Sequence, residues 1–128
     1  MVAELLERAK VLTLTTTGRV SGQPHPVTLW FVYHAKAGAI FLLSYPGKEE
    51  QGTDWYRNAL AHPDVSLSVR GETLKGTAVP SPESAVEKAA TRIRDMLSEK
   101  YGRAMVSYWY GDEPRFPLKI EIADAVDE

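Results

Sequence analysis

The sequence predicts an α+β fold, a small antiparallel barrel of about six strands with flanking helices. Three observations carry that expectation. Short runs rich in β-branched and aromatic residues alternate with polar, glycine-bearing turns, the mark of strands joined as hairpins. Helical spacing enters only at the start, in the middle and late in the chain, so helices do not alternate with strands as parallel units require. At 128 residues, with 44% hydrophobic and 25% charged, residues 1–128 fit one domain with a core of its own.

Val2, Leu5, Leu6 and Ala9 recur at helical spacing, and from Val11 onward Leu12 and Leu14 alternate with Thr13 and Thr15 as in a strand. The polar run from Gly18 to Pro24 leads into HPVTLWFVY, residues 25–33, a second strand. AKAG at 35–38 is a turn, and AIFLLSY a third strand through Tyr45, ended by Pro46 and Gly47. Thr53 can cap a helix over DWYRNALAH: its hydroxyl would accept a first-turn N–H, Asp54 suits the positive end of the dipole, and Pro63 closes the helix. VSLSV (65–69) and TLKGTAV (73–79) form a hairpin around RGE. Ser81 as N-cap and Pro82 at the first helical position open the longest helix, whose Val86, Ala89, Ala90, Ile93, Leu97 and Tyr101 share a face before Gly102 stops it. The aromatic cluster SYWYGD (107–112) precedes a last strand, FPLKIEI (116–122).

Several functions fall away on composition. Without cysteine there is no disulfide, thiolate catalysis, iron–sulfur ligation or cysteine-based zinc site. A net charge of -2 gives no field drawing the chain to nucleic acid. MVAELLERAK is too short and acidic for a signal peptide, and no apolar run approaches the roughly eighteen residues of a spanning helix, so no membrane span and a cytoplasmic location are expected. His25, His34 and His62 lack metal-ligand spacing, and no metal is expected. Neither a serine–histidine–aspartate order nor paired carboxylates suggest a hydrolase.

LTLTTTGRVSGQPHP, residues 12–26, carries the chemistry that remains. In a near-extended segment Arg19, Ser21, Gln23 and His25 would share a face, while Gly18 and Gly22 let backbone N–H groups approach a ligand. A fixed guanidinium beside neutral donors suits phosphate oxygens. The residues equally allow a polar hairpin on a solvated edge, since no P-loop or dinucleotide fingerprint is present.

TTTGRVSGQPHPVTLWFV followed by DWYRNALAHPDVSLSV resembles the deazaflavin-dependent nitroreductase family, a branch of the flavin-binding split-barrel superfamily that also includes the pyridoxamine phosphate oxidases. The likeness covers most of residues 10–80. It implies a split β-barrel, usually dimeric, binding coenzyme F420 or, alternatively, FMN in a groove beside the barrel. The cofactor phosphate would lie against Gly18, Arg19, Ser21 and Gly22, with Gln23 and His25 beside them. Val20 and His25 stand where the family often has lysine and arginine, so fewer fixed charges reach the phosphate. Ser44 matches a second cradle element, from which Lys48 is displaced; Lys48 also reads as a solvated loop lysine. Arg57 lies near a helix start from which a guanidinium could reach the groove, and it also reads as a helix arginine facing water. Val27 and Thr28 fall where the family meets the ring edge, whereas Trp30, Trp55 and Leu60 read as core.

Tyr108 and Tyr110 resemble the aromatic segment lining the substrate side. Their rings can stack on a planar acceptor and their hydroxyls polarise a nitro or carbonyl oxygen, and the same residues suit a dimer interface. Because such a cofactor carries the hydride itself, the missing catalytic dyad is expected. The leading expectation is an enzyme, an oxidoreductase passing a hydride from reduced F420 to a small planar acceptor. The alternatives are an FMN-dependent flavin reductase or oxidase-like protein, a non-catalytic flavin carrier or ligand-binding dimer, and a structural barrel with an empty groove.

Overall fold

The computed structural model describes residues 2–46, 52–111 and 115–123; Lys48 lies outside them. Seven strands form one antiparallel sheet in the order β2-β1-β5-β6-β7-β4-β3. They are β1 (Leu12–Thr17), β2 (Pro24–Leu29), β3 (Val32–His34), β4 (Ala39–Ser44), β5 (Asp64–Val69), β6 (Glu72–Pro80) and β7 (Phe116–Ile122). The helices are α1 (Val2–Arg8), α2 (Asp54–Ala61), α3 (Val86–Tyr101) and α4 (Arg103–Tyr110).

Alternation decides the inner face. Leu12 and Leu14 of β1, Leu67 of β5, Ile40 and Leu42 of β4 and Leu118 and Ile120 of β7 pack with Leu6 of α1 and Trp55, Tyr56 and Ala59 of α2. The opposite face of the β3-β4-β7 side carries a second core, where Val32 and Leu43 meet Ile93 and Leu97 of α3 and Val106 and Tyr110 of α4. On the β1-β5-β6 side that outer face is polar: Thr13 pairs with Ser68, Thr15 with Ser66 and Ser68 with Thr73, and all of them stay exposed or half-exposed.

The single strand expected at 25–33 is two strands, and they lie at opposite edges of the sheet. The break falls at Trp30 and Phe31, where the end of α3 captures the backbone. Tyr101 Oη accepts the Phe31 N–H at 3.2 Å and lies 3.0 Å from the Phe31 carbonyl, to which Lys100 Nζ also donates at 3.0 Å. Trp30 stacks on the Tyr101 ring, centroids 4.3 Å apart and planes 5° from parallel. These contacts replace ladder bonds, so the chain turns a corner and β3 joins β4 instead of extending β2.

Three smaller expectations shift. A 3₁₀ turn over Glu83–Ala85 precedes α3, which therefore begins at Val86, and neither Ser81 nor Pro82 caps it. Thr53 does precede α2, but its hydroxyl makes no cap; it pairs with Ser44 Oγ at 2.8 Å. Residues 103–110, where the sequence pattern shows only an aromatic cluster, form α4. Its helical signal is weak because Val106 and Tyr110 are its two buried residues, among exposed Met105, Tyr108 and Trp109.

Leu14 is fully buried in the inner core. Leu14→Ala should lower unfolding free energy by about 2–5 kcal/mol, read as a reduced urea midpoint at unchanged slope.

Candidate active site

The turn between β1 and β2 is closed on itself. Gly18 N–H donates to the Gln23 carbonyl at 2.8 Å, and Gly22 N–H to the Gly18 carbonyl at 2.9 Å. Gly22 sits at φ 73°, which a side chain would resist, and a Cβ on Gly18 would lie 2.5 Å from Ser21 Oγ. The near-extended path that would align Arg19, Ser21, Gln23 and His25 on one face is therefore absent. Ser21 Oγ instead accepts the Gln23 N–H at 3.1 Å, and Val20 occupies the exposed tip.

Arg19 turns back onto α2, where its partner is a residue that sequence reasoning missed as a site residue. Asn58 is 2% exposed, and its Oδ1 accepts both the Arg19 backbone N–H at 3.1 Å and Arg19 Nη1 at 2.7 Å. Its Nδ2 donates to Thr16 Oγ1 at 3.3 Å, and that hydroxyl reaches the His25 carbonyl at 3.4 Å. One amide thus ties β1, the turn and β2 to α2. The signal was an asparagine within the buried set Trp55, Tyr56, Asn58 and Ala59 of an amphipathic helix. Arg19 Nη2 also meets Asp54 Oδ1 at 3.2 Å, but the Asp54 side chain is 69% exposed. Such a pair contributes at most about 1 kcal/mol and yields to a stronger oxyanion.

The remaining candidates divide by location. Gln23 is exposed in the turn just before β2, His25 and Thr28 are exposed along the strand, and Val27 is half-buried against the inner core. Register pairs Pro24 with Thr17 and Pro26 with Thr15, placing two prolines in this edge strand. Ser44 is fully buried: its hydroxyl accepts the Thr53 N–H at 3.0 Å and donates to the Tyr45 carbonyl at 2.8 Å, tying the two ends of the intervening loop together away from solvent. Arg57 is half-buried on α2 between Asp54 and Asn58, with no side-chain hydrogen bond or ion pair among the described residues.

Tyr108 and Tyr110 separate. Tyr108 is 77% exposed and packs edge-on against Trp109, centroids 5.2 Å apart. Tyr110 is buried between Trp30 and Tyr45, at 6.0 and 5.9 Å, with the Arg115 guanidinium above Tyr45 and donating to the Tyr110 carbonyl. Burial first, then the neighbouring Tyr45 and Tyr101 phenols, pushes the Tyr110 hydroxyl up to about 12, with Arg115 opposing. Two positions apart on a helix, the tyrosines cannot form one wall.

Burial and the nearby Lys10 charge lower Lys100 to about 8. The Phe31 ring, 3.7 Å beneath its ammonium, and the Phe31 carbonyl favour the charged form, so desolvation outweighs both.

The turn and the aromatic group stand at opposite ends of β2. From Pro24 to Trp30 an extended strand spans about 20 Å, enough for an elongated ligand with an anionic part at one end and a planar ring at the other.

A helix-flanked antiparallel sheet curled into a half-barrel, with a donor-bearing turn at one end of its edge strand, defines the split-barrel class. Residues 1–107 match the model of the F420H(2)-dependent quinone reductase family, and the chain belongs to that family. It is an F420-dependent oxidoreductase, which decides between the two cofactors left open above.

Solved structures agree on the fold. An F420-H2 dependent reductase is similar at 23% identity and TM-score 0.59, over 88% of this chain and 94% of that one. A domain-swapped dimer matches at 21% identity and TM-score 0.62, over 94% and 93%. A putative pyridoxamine 5'-phosphate oxidase from Listeria innocua matches at 15% and 0.62, over 95% and 90%.

The donor set fits a phosphodiester. Arg19 keeps N–H groups beyond those given to Asn58 and Asp54, Ser21 retains its O–H, and Gln23 adds an exposed amide.

Asn58→Ala should cost about 1–3 kcal/mol in chemical denaturation, because it removes the acceptor of the Arg19 N–H and Nη1 and the donor to the Thr16 hydroxyl. Tyr110 has a raised folded-state pKa, so its contribution to stability is complete below pH 10 and is lost as pH climbs toward about 12. Melting curves across that window should fall less steeply for Tyr110→Phe than for the parent.

Proposed function

We propose that this protein passes a hydride from reduced F420 to a small planar acceptor, a quinone, nitro or enone compound, as a cytoplasmic homodimer of one split-barrel domain over residues 1–128. The bound deazaflavin supplies the hydride; the chain supplies binding, orientation and shelter from water. Arg19, Ser21 and Gln23 hold the phosphate with their side chains, while Gly18 and Gly22, whose N–H groups close the turn, give it its shape. Arg57 adds cationic reach to the same end, Ser44 keeps the neighbouring loop ends in place, and Lys48, outside the described residues, is a further cationic candidate for the cofactor. His25, Val27 and Thr28 follow the cofactor along β2.

At the far end, Tyr108 offers the acceptor an exposed ring to stack on and a hydroxyl to polarise its oxygen. Tyr110, enclosed by Trp30 and Tyr45, backs that end as a phenol that stays protonated at neutral pH. The homodimer reading rests on the polar outer face of β1, β5 and β6 and on the likeness to a domain-swapped dimer.

The observation that carries the proposal is the anchoring of Arg19 by buried Asn58, which fixes a guanidinium and its free donors one strand-length from the aromatic group. Fluorescence titration with F420 tests it. Arg19→Ala should weaken binding by about 1.5–3 kcal/mol, and an unchanged dissociation constant in a folded variant would remove the turn from the site. With a soluble naphthoquinone, a nitroaromatic and an enone as acceptors, Tyr108→Phe should lower turnover while leaving F420 affinity in place. Equal losses in both would take Tyr108 off the acceptor.

A further inference from the structure

A cavity of about 520 Å³ lies beneath the first half of α3, against the outer face of β4 and β7, and shares no residue with the turn, with β2 or with α4. That volume is in the range of small-molecule sites. It exists because small residues, Ala85 at the end of the 3₁₀ turn and Ala89 in the first turn of α3, face Phe41 of β4 there, and Ile93 closes the inner end. The floor is apolar.

The rim has one sign. Lys88, Arg92 and Lys119 are the charged lining residues and none is acidic, in a chain of net charge -2, while His34 accepts the Ala37 N–H at Nδ1. Lys119 is committed to Glu121 at 3.3 Å. Lys88 and Arg92 make no ion pair among the described residues. They stand four apart on α3, a like-charged spacing that opposes the helix unless an anion lies between them.

We propose that this cavity is a second ligand site, taking an amphiphilic carboxylate whose apolar body fills the space over Phe41 and Ile93 and whose head is held by Lys88 and Arg92. Charge complementarity selects the head, and the apolar floor selects the tail. The site is independent of the proposed F420 turn, because none of its residues contributes there.

Displacement of a dansyl-labelled alkyl carboxylate from the full chain by decanoate tests the assignment. Decanoate should compete saturably, and decanol and the decyl trimethylammonium ion at least tenfold less well. Lys88→Glu and Arg92→Glu, both exposed and so compatible with folding, should each weaken decanoate about tenfold or more while F420 affinity stays unchanged. Ala89→Trp, filling the cavity, should abolish displacement; circular dichroism establishes that each variant is folded.

The proposal is overturned if the probe fails to bind or if the cationic amphiphile competes as well as decanoate. Indifference to both charge reversals overturns it too. So does competition by F420 itself, which would make the cavity part of the cofactor groove. Dissociation of an oligomer by the charge reversals would assign the surface to a second copy of the chain instead.

Discussion

Everything at the phosphate end depends on one buried amide. Asn58 spends its carbonyl twice on Arg19 and its NH₂ on Thr16, so a helix, a strand and a tight turn share a single polar node inside an otherwise apolar layer. A buried amide of this kind stabilises only when both its ends are satisfied, and here geometry satisfies both. Arg19 consequently approaches any ligand already oriented: its 25% side-chain exposure leaves the fork accessible while its backbone is held. A freely rotating arginine would give up rotamer entropy on binding, whereas this one has surrendered part of it in folding.

A second node shapes the opposite end. Tyr101 and Lys100, at the close of α3, seize both polar groups of Phe31 and force the chain out of its strand. That corner sends β2 and β3 to the two edges of the sheet, and it brings Trp30 against Tyr101 and Tyr110. The aromatic end of the site and the topology of the half-barrel therefore have a common cause.

These two nodes also explain what sequence could and could not reveal. Period-two alternation located β1, β5, β6 and β7 because each buries one face against a core, whereas β4, buried on both faces, stood out as a continuous apolar run. The residues 25–33 read as one strand because nothing local distinguishes a strand from a strand bent by a tyrosine seventy positions away. Glycine and arginine spacing pointed to the turn, but its closed path depends on the Gly18–Gln23 and Gly22–Gly18 bonds, which no side-chain pattern encodes. The role of Asn58 was hidden for the same reason: its partners lie about forty residues upstream. The tyrosines were legible as a cluster, whereas their opposite fates followed from a helix that the pattern barely signals.

Pro24 and Pro26 give the β2 edge a property of its own. Prolines tolerated in an edge strand turn their nitrogen side outward, so at these alternate positions the open flank has lost the amide protons with which a foreign strand would register. Thr28, in the same phase, retains its own. The flank is thereby guarded against cross-chain sheet growth and amyloid-like pairing, yet remains open to a partner that needs one backbone proton rather than a ladder of them.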